Sequence, residues 1–287
     1  MFKKVLVPLD RSELASEILP YVSWLAGRLQ AKVVLMSSIS PSRGSETSEA
    51  DVKSELDRVG DALANLGVRS ESVVTKGDPA EEILRVAQLE GCDIIAMSTH
   101  GRSSLGRGVM GSVTDQVVRR SPIPTLALSS QHHEDVKHSR PLAKIVLSLD
   151  GTPRAEKAVP YVEELAKSLA LDVLLVRVID TGGPYVGLLE DTRFIKVDPE
   201  IKAEATAYIR EVARKMTAQG LNVEWKILEG TPTESILRLV RETPDDLMVL
   251  ASRGHAGLTR LLEGSVAETV VRGSGRPVLV LPQDAAV

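Results

Sequence analysis

The chain has 287 residues, 43% of them hydrophobic and 26% charged, with a formal net charge of −4. That length exceeds one ordinary core and suggests two domains of roughly 150 residues, while the balance of apolar and charged residues argues against disorder. The acidic balance and an aromatic content of only 3% count against a nucleic-acid interface, which needs excess cations and stacking rings.

The chain opens on Met1–Asp10, whose apolar run is too short for a secretory leader and lacks a cleavage site. No stretch approaches the ~20 apolar residues of a membrane span, so the expected location is cytoplasmic, with no membrane partner. Val5–Leu9 reads as the first buried strand. Ser12 is a candidate N-cap for one helix carrying Leu14, Ile18, Val22, Leu25 and Leu29 on its inner face. Val33–Met36 and Ser72–Thr75 follow as strands, and Pro79 can open a helix that places Ile83, Leu84 and Ala87 inward and ends at Gly91. Cys92, the lone cysteine, excludes an internal disulfide and reads as a small buried residue before the strand Ile94–Met97. Thr125–Leu128 is the fifth strand. Short β-branched strands alternating with helices imply right-handed crossovers and a parallel sheet covered on both faces.

The pattern then repeats. Lys4–Asp10 recurs as Lys144–Asp150 and Pro20-Tyr21-Val22 as Pro160-Tyr161-Val162, at an offset of 140. Gly77-Asp78-Pro79 matches Gly230-Thr231-Pro232, and Gly111-Ser112-Val113 matches Gly264-Ser265-Val266, at an offset of 153. The second copy has therefore gained 13 residues between its second strand and second helix. The fold class is α/β, two tandem doubly wound domains of five parallel strands each, spanning 1–129 and 142–287. The polar, non-periodic run 130–141 reads as a linker, and its His132, His133 and His138 as solvated residues rather than metal ligands. Within the insertion, Tyr185, Val186, Leu188, Leu189 and Phe194 suggest a packed surface loop, with a lid or partner surface as the alternative.

In an open parallel sheet, ligands bind beyond the carboxyl ends of the strands where strand order reverses. Strand one ends at Asp10 and, in the second copy, at Asp150; strand four runs into a glycine-punctuated loop, Ser98–Ser112 and Ala251–Ser265. Glycines let successive N–H groups converge on an anion, and the helix opening at Ser112 or Ser265 offers free donors and a favourable dipole. The alternative for these glycines and serines is turn and cap chemistry, and for the aspartates a turn or helix cap. No G-x4-G-K-[ST] string is present, and no G-x-G-x-x-G follows a first strand. His100 has no evident orienting carboxylate, and His255 is out of register with it, so binding fits better than fast catalysis.

Val7-Pro8-Leu9-Asp10, Gly101 with Gly111-Ser112, and the closing Pro124-Thr125-Leu126-Ala127 together resemble the ATP-binding universal stress proteins. The second copy supplies Leu147-Ser148-Leu149-Asp150, Gly254 with Gly264-Ser265, and Pro277-Val278-Leu279-Val280. The resemblance implies an adenine nucleotide alpha hydrolase-like sheet of order 3-2-1-4-5 with ATP across strands one and four, any Mg2+ being held through its phosphates. By the same resemblance, Asp10 and Asp150 hold the adenosine end, beside Pro8, Leu9, Ser148 and Leu149, and Ser38 and Val178 flank the base. Gly101, Gly111 and Ser112, with Gly254, Gly264 and Ser265, hold ribose and phosphates; Met97, Ser98, Val113, Leu250, Ala251 and Val266 complete the two sites. Arg102 meets phosphate charge, where its counterpart His255 is a weaker cation at neutral pH. Ser98 and Ala251 stand where the family motif has its first glycine; if that position needs positive φ, the substitution costs roughly 1–2 kcal/mol. Ser38 is polar where an apolar base contact is expected, so the two sites are expected to be unequal. The implied function is an ATP-binding regulator in a stress response, the alternatives being a nucleotide-free dimerisation scaffold or a slow ATP hydrolase. The closing strands are expected to pair within the chain as a pseudo-twofold, and again between chains in a homodimer.

Overall fold

A computed structural model of the chain describes residues 2–39, 48–99, 110–129, 142–181, 197–251 and 266–282. The first repeat contains β1 (Lys4–Pro8), α1 (Glu13–Ser16), α2 (Leu19–Leu29), β2 (Lys32–Ile39), α3 (Glu49–Asn65), β3 (Ser70–Lys76), α4 (Pro79–Leu89), β4 (Ile94–Ser98), α5 (Ser112–Arg120) and β5 (Thr125–Leu128). The second contains β6 (Lys144–Ser148), α6 (Pro153–Glu156), α7 (Ala158–Leu169), β7 (Asp172–Ile179), α8 (Pro199–Ala218), β8 (Val223–Glu229), α9 (Pro232–Glu242), β9 (Asp246–Ala251), α10 (Val266–Gly273) and β10 (Pro277–Leu281).

The ten strands form one sheet in the order β3-β2-β1-β4-β5-β10-β9-β6-β7-β8. Each half is parallel and has the order 3-2-1-4-5, and the halves join where β5 and β10 pair antiparallel, Leu126 opposite Leu279. The expected pseudo-twofold is this junction. Buried on both faces, the inner strands read as largely apolar runs, as in parallel sheets generally, while the edge strands β3 and β8 are mixed in sequence and partly exposed. On β1, Val5 and Val7 face one core while Leu6 faces the other. The first of these cores runs without a break through both repeats, joining Val22 and Leu56 to Val162 and Ile209. Phe2 and Tyr161 touch across the junction with ring centroids 6.5 Å apart. The opposite face is divided into one cluster under α4 and a second under α9 and α10.

One expectation needs correction. The single helix expected after Ser12 is broken into α1 and α2, and the second copy breaks likewise into α6 and α7. Pro20 and Pro160 have no N–H to return to the preceding turn, so the helix restarts there. Ser12 does cap, its Oγ accepting the Ala15 N–H at 3.0 Å. α8 begins at Pro199, directly after the insertion at Asp180 to Asp198 and three residues before the position the repeat offset gives for the start of α3. Tyr185 to Phe194 and the linker histidines lie outside the described residues.

Candidate functional site

Strand order reverses beside β1 and β6, since successive connections run outward from them in one direction and return on the other side through β4 and β9. At the carboxyl end of β6 and β9 lies an open cleft with a volume of about 120 Å3. Its floor is Ser148, Leu149 and Asp150 from the end of β6, with Val178 from β7 and Leu250 and Ala251 from β9. Val266 and Ala267 at the start of α10 form one wall. The backbone explains the floor: Leu149 N–H donates to Val176 O at 2.8 Å, continuing the ladder one residue beyond β6 and leaving Asp150 to turn out of the sheet. Seven of the residues assigned from sequence therefore meet around one cleft; Gly254, Gly264 and Ser265 lie outside the described residues, as do Gly101 and Arg102.

Asp150 has a structural duty. Its Oδ1 accepts from Thr152 N–H at 2.9 Å and from Thr152 Oγ1 at 2.6 Å, and Thr152 Oγ1 accepts from Ala155 N–H at 3.2 Å, capping α6. Asp10 and Ser12 repeat the arrangement: Asp10 Oδ1 accepts from Ser12 N–H at 3.0 Å and from Ser12 Oγ at 2.5 Å. The turn reading of these aspartates thus holds for one oxygen, while Thr152 and Ser12 are the caps. Asp150 is exposed at the cleft and the turn uses only Oδ1, so Oδ2 is available to a ligand hydroxyl or amine.

The sequence reading missed Thr152, Arg154, Ala155, Pro232 and Ile236, all of which line the cleft. Thr152 and Ser12 carried a signal, the repeated aspartate with a hydroxyl two residues on. Pro232 carried one in the matched Gly77-Asp78-Pro79 and Gly230-Thr231-Pro232. Arg154 carried none, because the first repeat has Leu14 at the corresponding position. It brings an exposed guanidinium to the cleft mouth.

In the first repeat, Pro8, Leu9 and Asp10 end β1, Ser38 sits on β2, and Met97 and Ser98 end β4. Ser38 Oγ donates to Gly77 O at 3.0 Å, which satisfies the hydroxyl that looked out of place beside a base. Two hydrogen bonds pin the start of α5 over the end of β4: Gly111 N–H donates to Thr99 O at 2.8 Å, and Thr114 Oγ1 to Ser98 O at 3.1 Å. A Cβ on Gly111 would lie 3.0 Å from Thr99 O. This glycine therefore serves close backbone approach, and its N–H is already spent. The donors left to an anion are the first-turn N–H groups of Ser112, Val113 and Thr114, which have no partner inside α5. Neither Ser98 nor Ala251 has positive φ; both lie in extended strand. The strain expected from replacing the motif's first glycine does not arise.

The described residues contain no group of three or more His, Cys, Asp or Glu able to hold a metal. Among them, no helix is long and apolar enough to cross a membrane.

Two doubly wound α/β repeats joined edge to edge, with a cleft where strand order reverses, place the chain among tandem α/β proteins of the open-sheet class. The model of the universal stress protein family matches residues 1–129 and 142–282, and the chain belongs to that family. Universal stress protein MJ0531 of Methanocaldococcus jannaschii is 30% identical over 138 residues, 48% of this chain and 81% of its own length. Universal stress protein Slr1230 of Synechocystis is 23% identical and matches 96% of this chain and 99% of its own. The crystal structure of a universal stress protein from Archaeoglobus fulgidus superposes with a TM-score of 0.75 at 22% identity, covering 99% of both chains, a likeness of fold.

Proposed function

We propose that the chain is an ATP-binding, nucleotide-dependent regulator of the stress response, acting in the cytoplasm, with the cleft of the second repeat as its better-formed site. The observation that carries this reading is the cleft itself. Apolar Leu149, Val178, Ile236 and Leu250 can take a planar base, while Asp150 Oδ2 beside them can accept from an adenosine hydroxyl or amine. Phosphates would extend toward the start of α10, where first-turn N–H groups favour anions, and Arg154 adds a cation at the mouth. Any Mg2+ would ride on the phosphates. In the first repeat, Ser112, Val113 and Thr114 N–H offer the same kind of anchor.

The test is nucleotide release on denaturing the purified protein, backed by ATP titration calorimetry on wild type, Asp150→Ala and Ser112→Ala. Ser112 is exposed, so its substitution leaves packing intact, whereas Gly111→Ala would disturb α5 whether or not anything binds. Micromolar uptake near two per chain supports two working clefts, and uptake near one that Asp150→Ala removes assigns it to the second. No released nucleotide and no heat at millimolar ATP would leave a nucleotide-free scaffold.

A further inference from the structure

The two repeats place a guanidinium behind the strand-one turn by different routes. In the first, the residue after Asp10 is Arg11, which has φ +65, and its Nε lies 3.9 Å from Glu55 Oε2 on α3. Non-glycine residues rarely adopt that backbone region. In the second, the residue after Asp150 is Gly151, φ +81, and the space a Cβ would enter is taken by the guanidinium of Arg177 from β7. The Arg177 guanidinium lies 5.0 Å from the centroid of the Tyr208 ring on α8. Repeat offsets match Arg11 to Gly151 and Ser37 to Arg177 across the first helix, and Glu55 to Tyr208 beyond the insertion. The arginine has changed its position in the sequence and its partner on the long helix, and it returns to the same Asp–x backbone.

Arg177 does not face the cleft: Val178 lines it, and Arg177, the preceding residue on the strand, points to the opposite face. Its guanidinium is therefore placed to act on the aspartate turn and not on a ligand directly. We propose that Arg177 in the second repeat, and Arg11 in the first, are positioning residues that hold the strand-end aspartate in its ligand-binding turn. The cation sits beside Gly151, in the space a Cβ there would take, where it blocks collapse of the turn onto the sheet and attracts the neighbouring Asp150 carboxylate electrostatically. This rests on the proposed nucleotide reading for its consequence, but the hold on the turn stands independently of it.

The test uses the full chain, ATP calorimetry, and amide hydrogen exchange over residues 150–155. Arg177→Met keeps length and removes charge; it is expected to weaken ATP binding at the second cleft about tenfold, equivalent to about 1.4 kcal/mol, and to speed exchange of those amides. The triple variant Arg177→Ser, Gly151→Arg, Tyr208→Glu transplants the arrangement of the first repeat and is expected to restore both. Arg177→Lys, which keeps a cation over the ring, guards against a folding defect and should lie between wild type and Arg177→Met. If wild type binds ATP and Arg177→Met binds it equally well, the proposal is overturned whatever exchange shows. If wild type binds no ATP, the nucleotide reading fails alone, and exchange decides: rates unchanged in Arg177→Met overturn the positioning role.

Discussion

Arg119 on α5 and Glu268 on α10 form an ion pair across the junction of the two repeats. Glu268 is 6% exposed, and Arg119 also holds Asp115 on its own helix, Nε to Oδ1 3.0 Å. Asp115 and Glu268 occupy matching places in the repeats, so one guanidinium bridges two equivalent acids. Burial, together with a hydrogen bond to Asp115, pushes the Glu268 carboxyl up, against the pull of Arg119. Arg119→Ala should leave a buried carboxylate without its cation and cost about 2 kcal/mol, below the range for fully buried pairs because Arg119 is partly exposed. Adding Glu268→Gln should recover part of that loss in urea unfolding; a double variant no more stable than Arg119→Ala would show the pair is not coupled.

Ser98 offers a sharper local test. It is buried in β4, and its Oγ has no hydrogen-bond partner among the described residues. Ser98→Ala should be neutral or stabilising by up to about 1 kcal/mol, because a lone buried hydroxyl is a net cost. Ser98→Gly, which restores the family's motif, should be about 0.5–1 kcal/mol less stable than Ser98→Ala, since this strand position gains nothing from glycine's freedom. A Ser98→Gly more stable than Ser98→Ala would contradict the extended geometry seen here.

At the far end of the sheet, Glu71 on β3 accepts from Lys32 on β2 and lies 3.2 Å from Lys4 on β1, which also reaches Glu90 at 2.7 Å. The hydrogen bond from Lys32, joined by one from Lys4 and opposed by burial, holds the Glu71 carboxyl below its ordinary value of 4.5. A depressed carboxyl contributes stability that is present above the unfolded-state value and is lost as pH falls through the folded one. Glu71→Gln should therefore be less stable than wild type at neutral pH, and the gap should close only below about pH 4.5 in denaturant titrations.

Cys92 sits under α4 with its thiol pushed up to about 11, chiefly by burial. Aromatic disulfide reagents at pH 8 should label it only as the first repeat unfolds, so the labelling rate should follow denaturant concentration. Fast labelling of native protein would refute its enclosure.

The duplicated pattern made much of this legible. β1 and β6, the ends at Asp10 and Asp150, and the proline-opened α4 and α9 all follow from period and turn chemistry written twice. What escaped was non-local. Nothing near Pro20 says that one turn of helix survives before it as α1. The backbone at Ser98 is set by pairing with Leu128 of β5, which no motif encodes. Arg154 and Arg177 differ between copies, so comparing the repeats hid them, and the Arg119–Glu268 contact exists only once the halves are docked.

The antiparallel seam at Leu126 and Leu279 also frees the two halves from each other. In an ordinary symmetric dimer every substitution appears on both sides of the axis and must suit both. Here the two partners are encoded separately and tethered, so their association needs no second molecule. An aspartate can face a glutamate across the axis, and Arg11 can give way to Arg177 in one half alone. Covalent duplication thus gives this chain heterodimer chemistry within a single polypeptide: one half can keep a ligand site while the other is remade for a different task.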